Sequence, residues 1–359
     1  MSYNMFEEYK REGEPNEKQR AENWAIAIGL QQVDNLTPSN YLIETAKENI
    51  EGKITIEEVK QRVDSYYKTE KGKLQGERKE EADKVSAHIA DILSDGSFTF
   101  SPMTLYSIHR RLFGDIFPKI AGKIRDYNIT KEELVLNGDT VRYGTADLIK
   151  ETLDYDFDVE KKFKYKGLSL QAKVERIADF ISGIWQIHPF GEGNTRTIAI
   201  FTIKYLRTMG FDASNEYFEK NAKYFRDALV RANYQDLKND IAYSKEYLYD
   251  FFDNLLLGGE KILSSKDLFV KTMEKTVKTM EKKIETMEKT GKTREKIISL
   301  IEQNSKVTTK ELSTLIGITE KGVEWQLTQL KKNKLIIRVG SNNGGHWLVL
   351  NDKTNMEDE

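Results

Sequence analysis

The stretch WQIHPFGEGNTRTIAIFTIKYL occupies residues 185–206 and decides the fold. It reads as the end of one apolar helix, a short loop with two glycines, and a second apolar helix that follows at once. The residues before the loop repeat apolar side chains at helical spacing. One face of that helix would carry Val174, Ile177, Ala178, Ile181, Ile184 and Trp185. The pattern predicts a helix–loop–helix within a mainly α-helical domain.

The loop suits an anion. Gly191 and Gly193 let the backbone approach a ligand closely. The helix that starts near Asn194 would direct free N–H groups and the positive end of its dipole toward that ligand. Arg196 lies in the first turn of this helix, where a cation is unfavourable unless an anion is bound nearby.

Two further side chains of the loop supply chemistry. Glu192 is a carboxylate of the kind that holds Mg²⁺ together with substrate phosphates. His188 can take a proton from a hydroxyl group at neutral pH. A plain helix–loop–helix turn with a capping histidine is the alternative. The combination of a base, a carboxylate, an anion site and an arginine favours an active site.

The segment HPFGEGNTR closely resembles the H-P-F-x-[D/E]-G-N-x-R signature of the Fic (filamentation induced by cAMP) family. Residues 105–129 resemble the upstream segment of that family with its A-G-x-x-R pattern. The stretch ELVLNGDTVRY at 133–143 lies where the family has its flap, and Asn-Gly between such runs is typical of a β-hairpin. The resemblance covers about residues 85–250. It implies a helical Fic core with a small β-hairpin flap.

The resemblance also implies a protein adenylyltransferase, which would move AMP from ATP to a Ser, Thr or Tyr hydroxyl of a target protein and of the chain itself, with Mg²⁺. His188 would be the catalytic base, Glu192 the metal ligand and Phe190 the anchor of the loop in the core. The nucleotide-binding residues would be Gly191, Gly193, Asn194, Thr195 and Arg196. The flap residues that would bind the target segment by strand addition are Val141, Arg142 and Tyr143.

The sequence departs from the family pattern at two places. Ala199 stands where many members carry a second arginine for the γ-phosphate, so UTP, GTP or another phosphate-containing donor stays open. Thr37-Pro38-Ser39 predicts the start of a helix, and Gly52 its end. NIEG at 49–52 resembles the end of the family's antitoxin-like inhibitory helix, which would lie within about 37–67, but Lys47 stands where the family has Ser or Thr. Glu51 would be the inhibitory glutamate, which would either pair with Arg196 or be vestigial. An ordinary solvent-exposed glutamate at a helix end is the alternative.

Residues 293–351 form a separate unit with three short helices and two strands, the pattern of an α+β winged helix-turn-helix. Its third helix would offer DNA the side chains of Lys321, Gln326, Gln329, Lys331 and Lys332. The core side chains would be those of Trp325, Leu327 and Leu330. The predicted wing, SNNGG, is uncharged, so a protein partner fits as well as DNA. A DNA-binding regulator whose Fic domain senses nucleotide is therefore an alternative function.

Between these units we expect four boundaries. A helical N-terminal region would span 1–75, and the Fic domain 80–260. Residues 264–292 carry a heptad seam, which predicts a coiled-coil linker and a homodimer, or else one solvated helix. The seam residues are Met273, Val277, Met280, Ile284 and Met287. The acidic tail 352–359 would be disordered.

Composition narrows the class of protein. The chain has 359 residues and no cysteine, which excludes disulfides, thiolate nucleophiles and cysteine-bound zinc. Residues 271–351 hold 16 Lys and Arg against 9 Asp and Glu, a charge of +7 that permits a nucleic-acid partner. No apolar run approaches the roughly 20 residues that span a bilayer, and the charged N-terminus lacks a signal-peptide pattern. We therefore expect a cytoplasmic protein without a membrane partner.

Overall fold

The structure is a computed structural model. It divides the chain into two compact units, Met1–Val270 and Lys271–Glu359. The residues that it describes are 6–211, 213, 216–270, 293–294, 296–333, 335–339 and 345–350. Each unit is built around its own apolar core. Within the described residues, none of the helices has the length and apolar character needed to cross a membrane.

The first unit is helical. Its N-terminal half consists of α1 (Glu7–Glu12), α2 (Pro15–Gly29), a 3-10 turn (Leu30–Asp34), α3 (Asn40–Ile50), α4 (Ile56–Lys68), α5 (Glu70–Lys73) and α6 (Glu77–Ser94). Its second half consists of α7 (Pro102–Phe113), α8 (Ile149–Lys162), α9 (Leu170–Ile187), α10 (Asn194–Thr208), α11 (Glu216–Ala232) and α12 (Glu246–Leu257). Helix α10 is the centre of this unit, since every residue from Asn194 to Leu206 is buried.

Two predictions from the sequence are confirmed in this unit. All six apolar residues predicted for one face of α9 are buried. The helix predicted to start at 37–39 is α3, whose first turn is capped by the Ser39 hydroxyl. It ends at Ile50, and Gly52 follows with a φ of 75°. The Lys53 N–H donates to the Glu48 carbonyl over 2.9 Å, which completes the glycine-terminated cap.

The β-hairpin predicted at 133–143 is wrong. The turn itself is present, because Asn137 and Gly138 have φ values of 57° and 93°. The residues before it form a 3-10 turn, Leu134–Leu136, and no strand occurs between residues 128 and 145. The Val135 carbonyl, which a partner strand of a hairpin would need as an acceptor, accepts instead from the Val270 N–H over 2.8 Å. Burial of this segment against the core overrides its local preference for strand.

The second unit has the order of elements that the sequence predicts. Helix α13 covers 296–303, followed by α14 (Thr309–Ile316), α15 (Glu320–Lys332), β1 (Ile336–Val339) and β2 (His346–Val349). The two strands are antiparallel, with Ile337 opposite Leu348. Three helices followed by this strand pair form a winged helix-turn-helix.

Two side chains of α15 are not where the sequence predicts them. Leu327 and Leu330 are buried as expected, but Trp325 is 53% exposed, and Gln326 is 7% exposed although we predicted it to face DNA. The buried stripe runs along one face at helical spacing, and Gln326 lies three residues after its first member, Val323. Trp325 falls on the opposite side of the helix.

The predicted heptad residues 273–287 and the acidic tail 352–359 lie outside the described residues, as do 341–344 of the wing. The coiled coil, the homodimer and the disordered tail stay predictions.

Candidate active site

The loop between α9 and α10 holds the predicted catalytic histidine in an unusual backbone conformation. His188 follows the last residue of α9 with a φ of 52°, and Gly193 precedes α10 with a φ of 72°. The imidazole is buried, and its centre lies 4.3 Å from that of the Tyr143 ring and 5.3 Å from that of the Trp185 ring. These contacts fix the plane of the His188 ring.

One hydrogen bond sets the tautomer of His188. Its Nδ1 lies 3.2 Å from the Trp185 carbonyl oxygen, which can only accept, so Nδ1 carries the proton of this bond. The other ring nitrogen, Nε2, then has a free lone pair. Burial, together with the nearby charges of Lys131 and Arg125, lowers the pKa of His188 to about 3. The side chain is therefore a neutral base at physiological pH.

Two polar side chains of α10 brace the loop. The Asn194 side chain donates to the Phe190 carbonyl over 2.8 Å and accepts from the Phe190 N–H over 2.9 Å. The Thr195 hydroxyl accepts from the Trp185 indole over 2.9 Å. Phe190 itself is fully buried and stacks on His109 at 3.9 Å. Because these side chains have partners within the protein, Asn194 and Thr195 offer a ligand mainly their backbone N–H groups.

His109, on α7, is a loop-supporting residue that the sequence analysis missed. Its Nδ1 accepts from the Gly122 N–H over 2.8 Å, so Nε2 carries the proton and donates to the Glu192 carbonyl over 3.0 Å. Burial lowers the pKa of His109 to about 4, which keeps the ring neutral. Its place on the apolar face of α7, one residue after the buried Ile108, was the available signal.

Arg125 ties the loop to the end of the flap. Its guanidinium donates to the His188 carbonyl over 2.8 Å and to the Tyr127 carbonyl over 2.6 Å. It also donates to the carbonyls of Gly144 and Ile187. Its backbone N–H donates to the carbonyl of Pro189 over 2.9 Å. The A-G-x-x-R resemblance marked this residue, but the sequence did not indicate its partners.

Arg196 is occupied by carboxylates from the N-terminal half. It is 1% exposed and lies over the Phe113 ring at 4.8 Å. Its Nη2 donates to Glu81 over 2.7 Å. Its Nε lies 2.8 Å from an Asp34 oxygen, in a charge contact without hydrogen-bond alignment. Gln31 accepts a weaker bond over 3.3 Å. These carboxylates supply the negative partners of the Arg196 side chain that the sequence predicts to be a bound anion.

The predicted pairing of Glu51 with Arg196 is wrong. Glu51 accepts from the Tyr9 hydroxyl over 2.6 Å and forms an ion pair with Lys53 at 2.5 Å. These two partners hold the pKa of Glu51 below its usual range. The Glu51 side chain is 30% exposed, so it is a partly solvated helix-end glutamate with local partners.

Glu192 has one oxygen available for a metal ion. Its side chain is 43% exposed, and Oε1 accepts from the Gly193 N–H over 3.0 Å. Lys131 lies 3.9 Å from that oxygen. Among the described residues, no group of three or more His, Asp or Glu side chains could hold a metal. A single carboxylate fits Mg²⁺ held mainly by phosphates and water.

A cavity of about 460 Å³ opens beside this loop. Glu192 and Arg196 line it together with Asp34 and Glu81. Four further cations line it: Arg78, Lys131, Lys223 and Arg226. The last two come from α11 and had no part in the sequence analysis.

The flap presents free backbone groups beside His188. Gln186 holds the end of the flap. Its backbone carbonyl accepts from the Gly144 N–H over 3.2 Å, and its side-chain amide donates to the Arg142 carbonyl over 3.1 Å. The Tyr143 hydroxyl donates to Glu133 over 3.1 Å. No acceptor among the described residues faces the N–H groups of residues 141–143. The Val141 side chain is buried, so this residue offers a partner only its backbone.

Comparison with known families agrees with this architecture. Residues 99–206 match the Fic/DOC family, and residues 291–337 match a winged helix-turn-helix DNA-binding family. The chain therefore carries a Fic domain followed by a winged helix-turn-helix.

Several solved structures are similar to the chain. The N-terminal Fic domain of a Bartonella effector protein from Bartonella sp. AR 15-3 is 23% identical over 52% of this chain and 84% of that one, with a TM-score of 0.39. BepC from Bartonella tribocorum, with bound AMPPNP, is 22% identical over 52% and 87%, with a TM-score of 0.39. A Fic family protein from Desulfovibrio desulfuricans G20 is 14% identical over 98% and 94%, with a TM-score of 0.43. No curated protein matches the chain.

Proposed function

We propose that the chain is a protein adenylyltransferase, which moves AMP from ATP to a Ser, Thr or Tyr hydroxyl of a target protein and of itself. The observation that carries this proposal is the state of His188. Its Nδ1–H donates to the Trp185 carbonyl, which leaves Nε2 unprotonated. The residue lies in the loop that precedes α10. The Fic/DOC match over residues 99–206 supports a transferase of this type.

In the proposed reaction, Nε2 of His188 takes the proton of the target hydroxyl. The hydroxyl oxygen forms a bond to the α-phosphorus of ATP, and the bond from that phosphorus to the bridging oxygen breaks. Pyrophosphate leaves, and the AMP moiety stays on the target. A base positioned in this way contributes about 10²- to 10⁴-fold to the rate of such steps.

The first turn of α10 would hold the phosphate. The N–H groups of Asn194, Thr195 and Arg196 have no acceptor within the helix, as is usual for the first turn. They offer the donors and the dipole end that bind phosphate at helix N-termini. Mg²⁺ on Glu192 would neutralise charge on the phosphates. Position 199 is a fully buried alanine, and its methyl side chain offers the donor nucleotide no charged group.

The flap would bind the target by main-chain hydrogen bonds. The unpaired N–H groups of residues 141–143 lie in a segment that is neither helix nor strand, and Tyr143 packs directly on His188. A target strand that paired with this segment would place its hydroxyl beside the imidazole.

We also propose that the enzyme is autoinhibited through Asp34 and Glu81 in place of Glu51. Both carboxylates neutralise Arg196, the buried arginine of the loop. A phosphate that binds Arg196 would first have to displace them. Glu51, with its local partners Tyr9 and Lys53, takes no part in this contact.

The winged helix-turn-helix supports a second candidate function, a DNA-binding regulator with a nucleotide-sensing Fic domain. The match to a DNA-binding family favours DNA over a protein partner. Lys321, Lys331 and Lys332 are exposed on α15 and would contact phosphates. DNA affinity would then fall steeply with salt concentration, and His188→Ala would leave it unchanged.

Intact-protein mass spectrometry after incubation with ATP and Mg²⁺ separates the two functions. We expect an added AMP mass on the wild type or on Asp34→Asn/Glu81→Gln, and none on His188→Ala. An adduct that persists in His188→Ala would contradict the assigned base. If no variant gains mass and a supplied extract of cellular proteins gains none either, the regulator is the better description.

A further inference from the structure

Helix α11 lies outside the part of the chain that matches the Fic/DOC family, yet it lines the cavity beside the loop. Two of its cations, Lys223 and Arg226, are three residues apart, so they share one face of the helix. Glu192 and Arg196 line the same 460 Å³ cavity. The cavity therefore brings positive charge from two separate helices, α10 and α11, to one site.

We propose that Lys223 and Arg226 bind the phosphates beyond the α-phosphate, so that the site selects nucleoside di- and triphosphates over monophosphates. This inference rests on the proposed function, since it assigns further residues to the same nucleotide site. Lys223 and Arg226 lie outside the motif HPFGEGNTR at 188–196.

The present partners of the two cations leave the Lys223 ammonium and one edge of the Arg226 guanidinium available to a ligand. Lys223 is 42% exposed, and its ammonium lies 3.5 Å from the carboxylate of Asp227, at the limit of a hydrogen bond. Arg226 forms an ion pair with Glu133 at 2.6 Å through Nη2, while its Nη1 lies 3.8 Å from Asp227. One edge of the Arg226 guanidinium therefore makes no close contact with a carboxylate.

Arg196 is in the opposite situation. It is almost fully buried and already contacts the two carboxylates of Asp34 and Glu81. The first turn of α10 supplies donors for one phosphate group. A second and a third phosphate would bring further negative charge into the cavity, and on α11 the Lys223 ammonium and the Nη1 edge of the Arg226 guanidinium could receive it. AMP would leave them without a phosphate.

The test is equilibrium binding of AMP, α,β-methylene ADP and α,β-methylene ATP to the full-length protein with Mg²⁺, by titration calorimetry. The methylene bridge prevents AMP transfer. The variants are Lys223→Ala and Arg226→Lys, with Lys220→Ala on the same helix as the matched control, because Lys220 does not line the cavity. Thermal unfolding curves check that each variant is folded.

We expect Lys223→Ala to weaken binding of the di- and triphosphate analogues about tenfold and to leave AMP binding unchanged. Arg226→Lys would weaken the triphosphate analogue by a smaller factor, since a lysine keeps the charge but not the fork. Equal losses for all three nucleotides, or no loss for any, would overturn the inference and leave the proposed function intact. A wild-type protein that binds none of the three would overturn both.

Discussion

Two regions of the first unit contact the site in different ways. The loop between α9 and α10 is held by contacts between near neighbours in the sequence, whereas the N-terminal half reaches the site through contacts between distant residues. The loop is shaped by bonds between near neighbours, such as His188 with Trp185 and Asn194 with Phe190. The N-terminal half meets the site through Asp34 and Glu81, more than 100 residues away from Arg196. A short motif can therefore specify the geometry of the loop, but it cannot show which carboxylate reaches its arginine.

The largest effect that we expect tests how tightly the loop is built. A Cβ added at Gly193 would lie 2.3 Å from the Phe113 ring, at a backbone φ of 72°. The left-handed conformation costs about 1–2 kcal/mol for other residues, and overpacking adds about 1–3 kcal/mol. Gly193→Ala should therefore lower the free energy of unfolding by about 3 kcal/mol in urea titrations.

Gly138→Ala is the matched control. Its φ is 93°, but nothing lies within 4 Å of the added Cβ, so only the backbone cost of about 1–2 kcal/mol applies. Equal losses in the two variants would show that the Phe113 contact does not constrain the loop.

The two neutral histidines of the site predict an acid-sensitive stability. His188 and His109 have pKa values of about 3 and about 4 in the folded protein, both below the unfolded value of about 6.5. Below pH 6.5 the unfolded chain binds protons at these positions that the folded protein does not bind. The contribution of these two histidines to the free energy of unfolding is therefore complete above pH 6.5, and it is lost as the pH falls through their folded pKa values of about 4 and about 3.

Proton uptake on unfolding measures this effect. Between pH 6 and 5, we expect the His188→Ala variant to take up less of a proton on unfolding than the wild type, by up to about one. Calorimetry in buffers of different ionisation enthalpy gives this difference. An unchanged uptake would mean that His188 is protonated in the folded protein, which would remove the proposed base.

The contact between the two halves of the unit should respond to removal of its charges. Asp34→Asn/Glu81→Gln would free Arg196 for a phosphate, and we expect nucleotide affinity to rise about tenfold, or about 1.4 kcal/mol. The same variant should be less stable without nucleotide, because it leaves a buried arginine without a counter-charge. Glu51→Gln is the control and should change neither property. Activation by Glu51→Gln alone would restore the inhibitory role that the sequence predicted for it.

The smallest effect is expected for Trp325 of the winged helix-turn-helix, with the buried Trp347 as its comparison. Trp347 is 8% exposed, and Arg338 lies over its ring, whereas Trp325 is 53% exposed. Trp325→Ala should change the stability of this unit by less than about 0.5 kcal/mol, and Trp347→Ala should cost about 3 kcal/mol or more. Comparable losses would place Trp325 in the core, as the sequence analysis did.

Helical periodicity and capping residues were sufficient to predict α9, α3 and the winged helix-turn-helix, because burial on one face and local caps decide these elements. The flap was mispredicted since its Asn-Gly turn is local, while the partner of Val135 is Val270, far along the chain. For the same reason the sequence found His188 but not the contacts of His109 and Arg125. Lys223 and Arg226 lie on a helix that carries no recognisable motif.

We propose that His188 acts as the base in the transfer of AMP from ATP. The most direct measurement supplies ATP labelled at either the α- or the γ-phosphate and follows the label bound to protein, in the wild type, Asp34→Asn/Glu81→Gln and His188→Ala. We predict that only the α-label is retained, that the double variant retains more of it, and that His188→Ala retains none. Retention of the γ-label would show that the transferred group is not AMP, and retention of the α-label in His188→Ala would show that His188 is not the base.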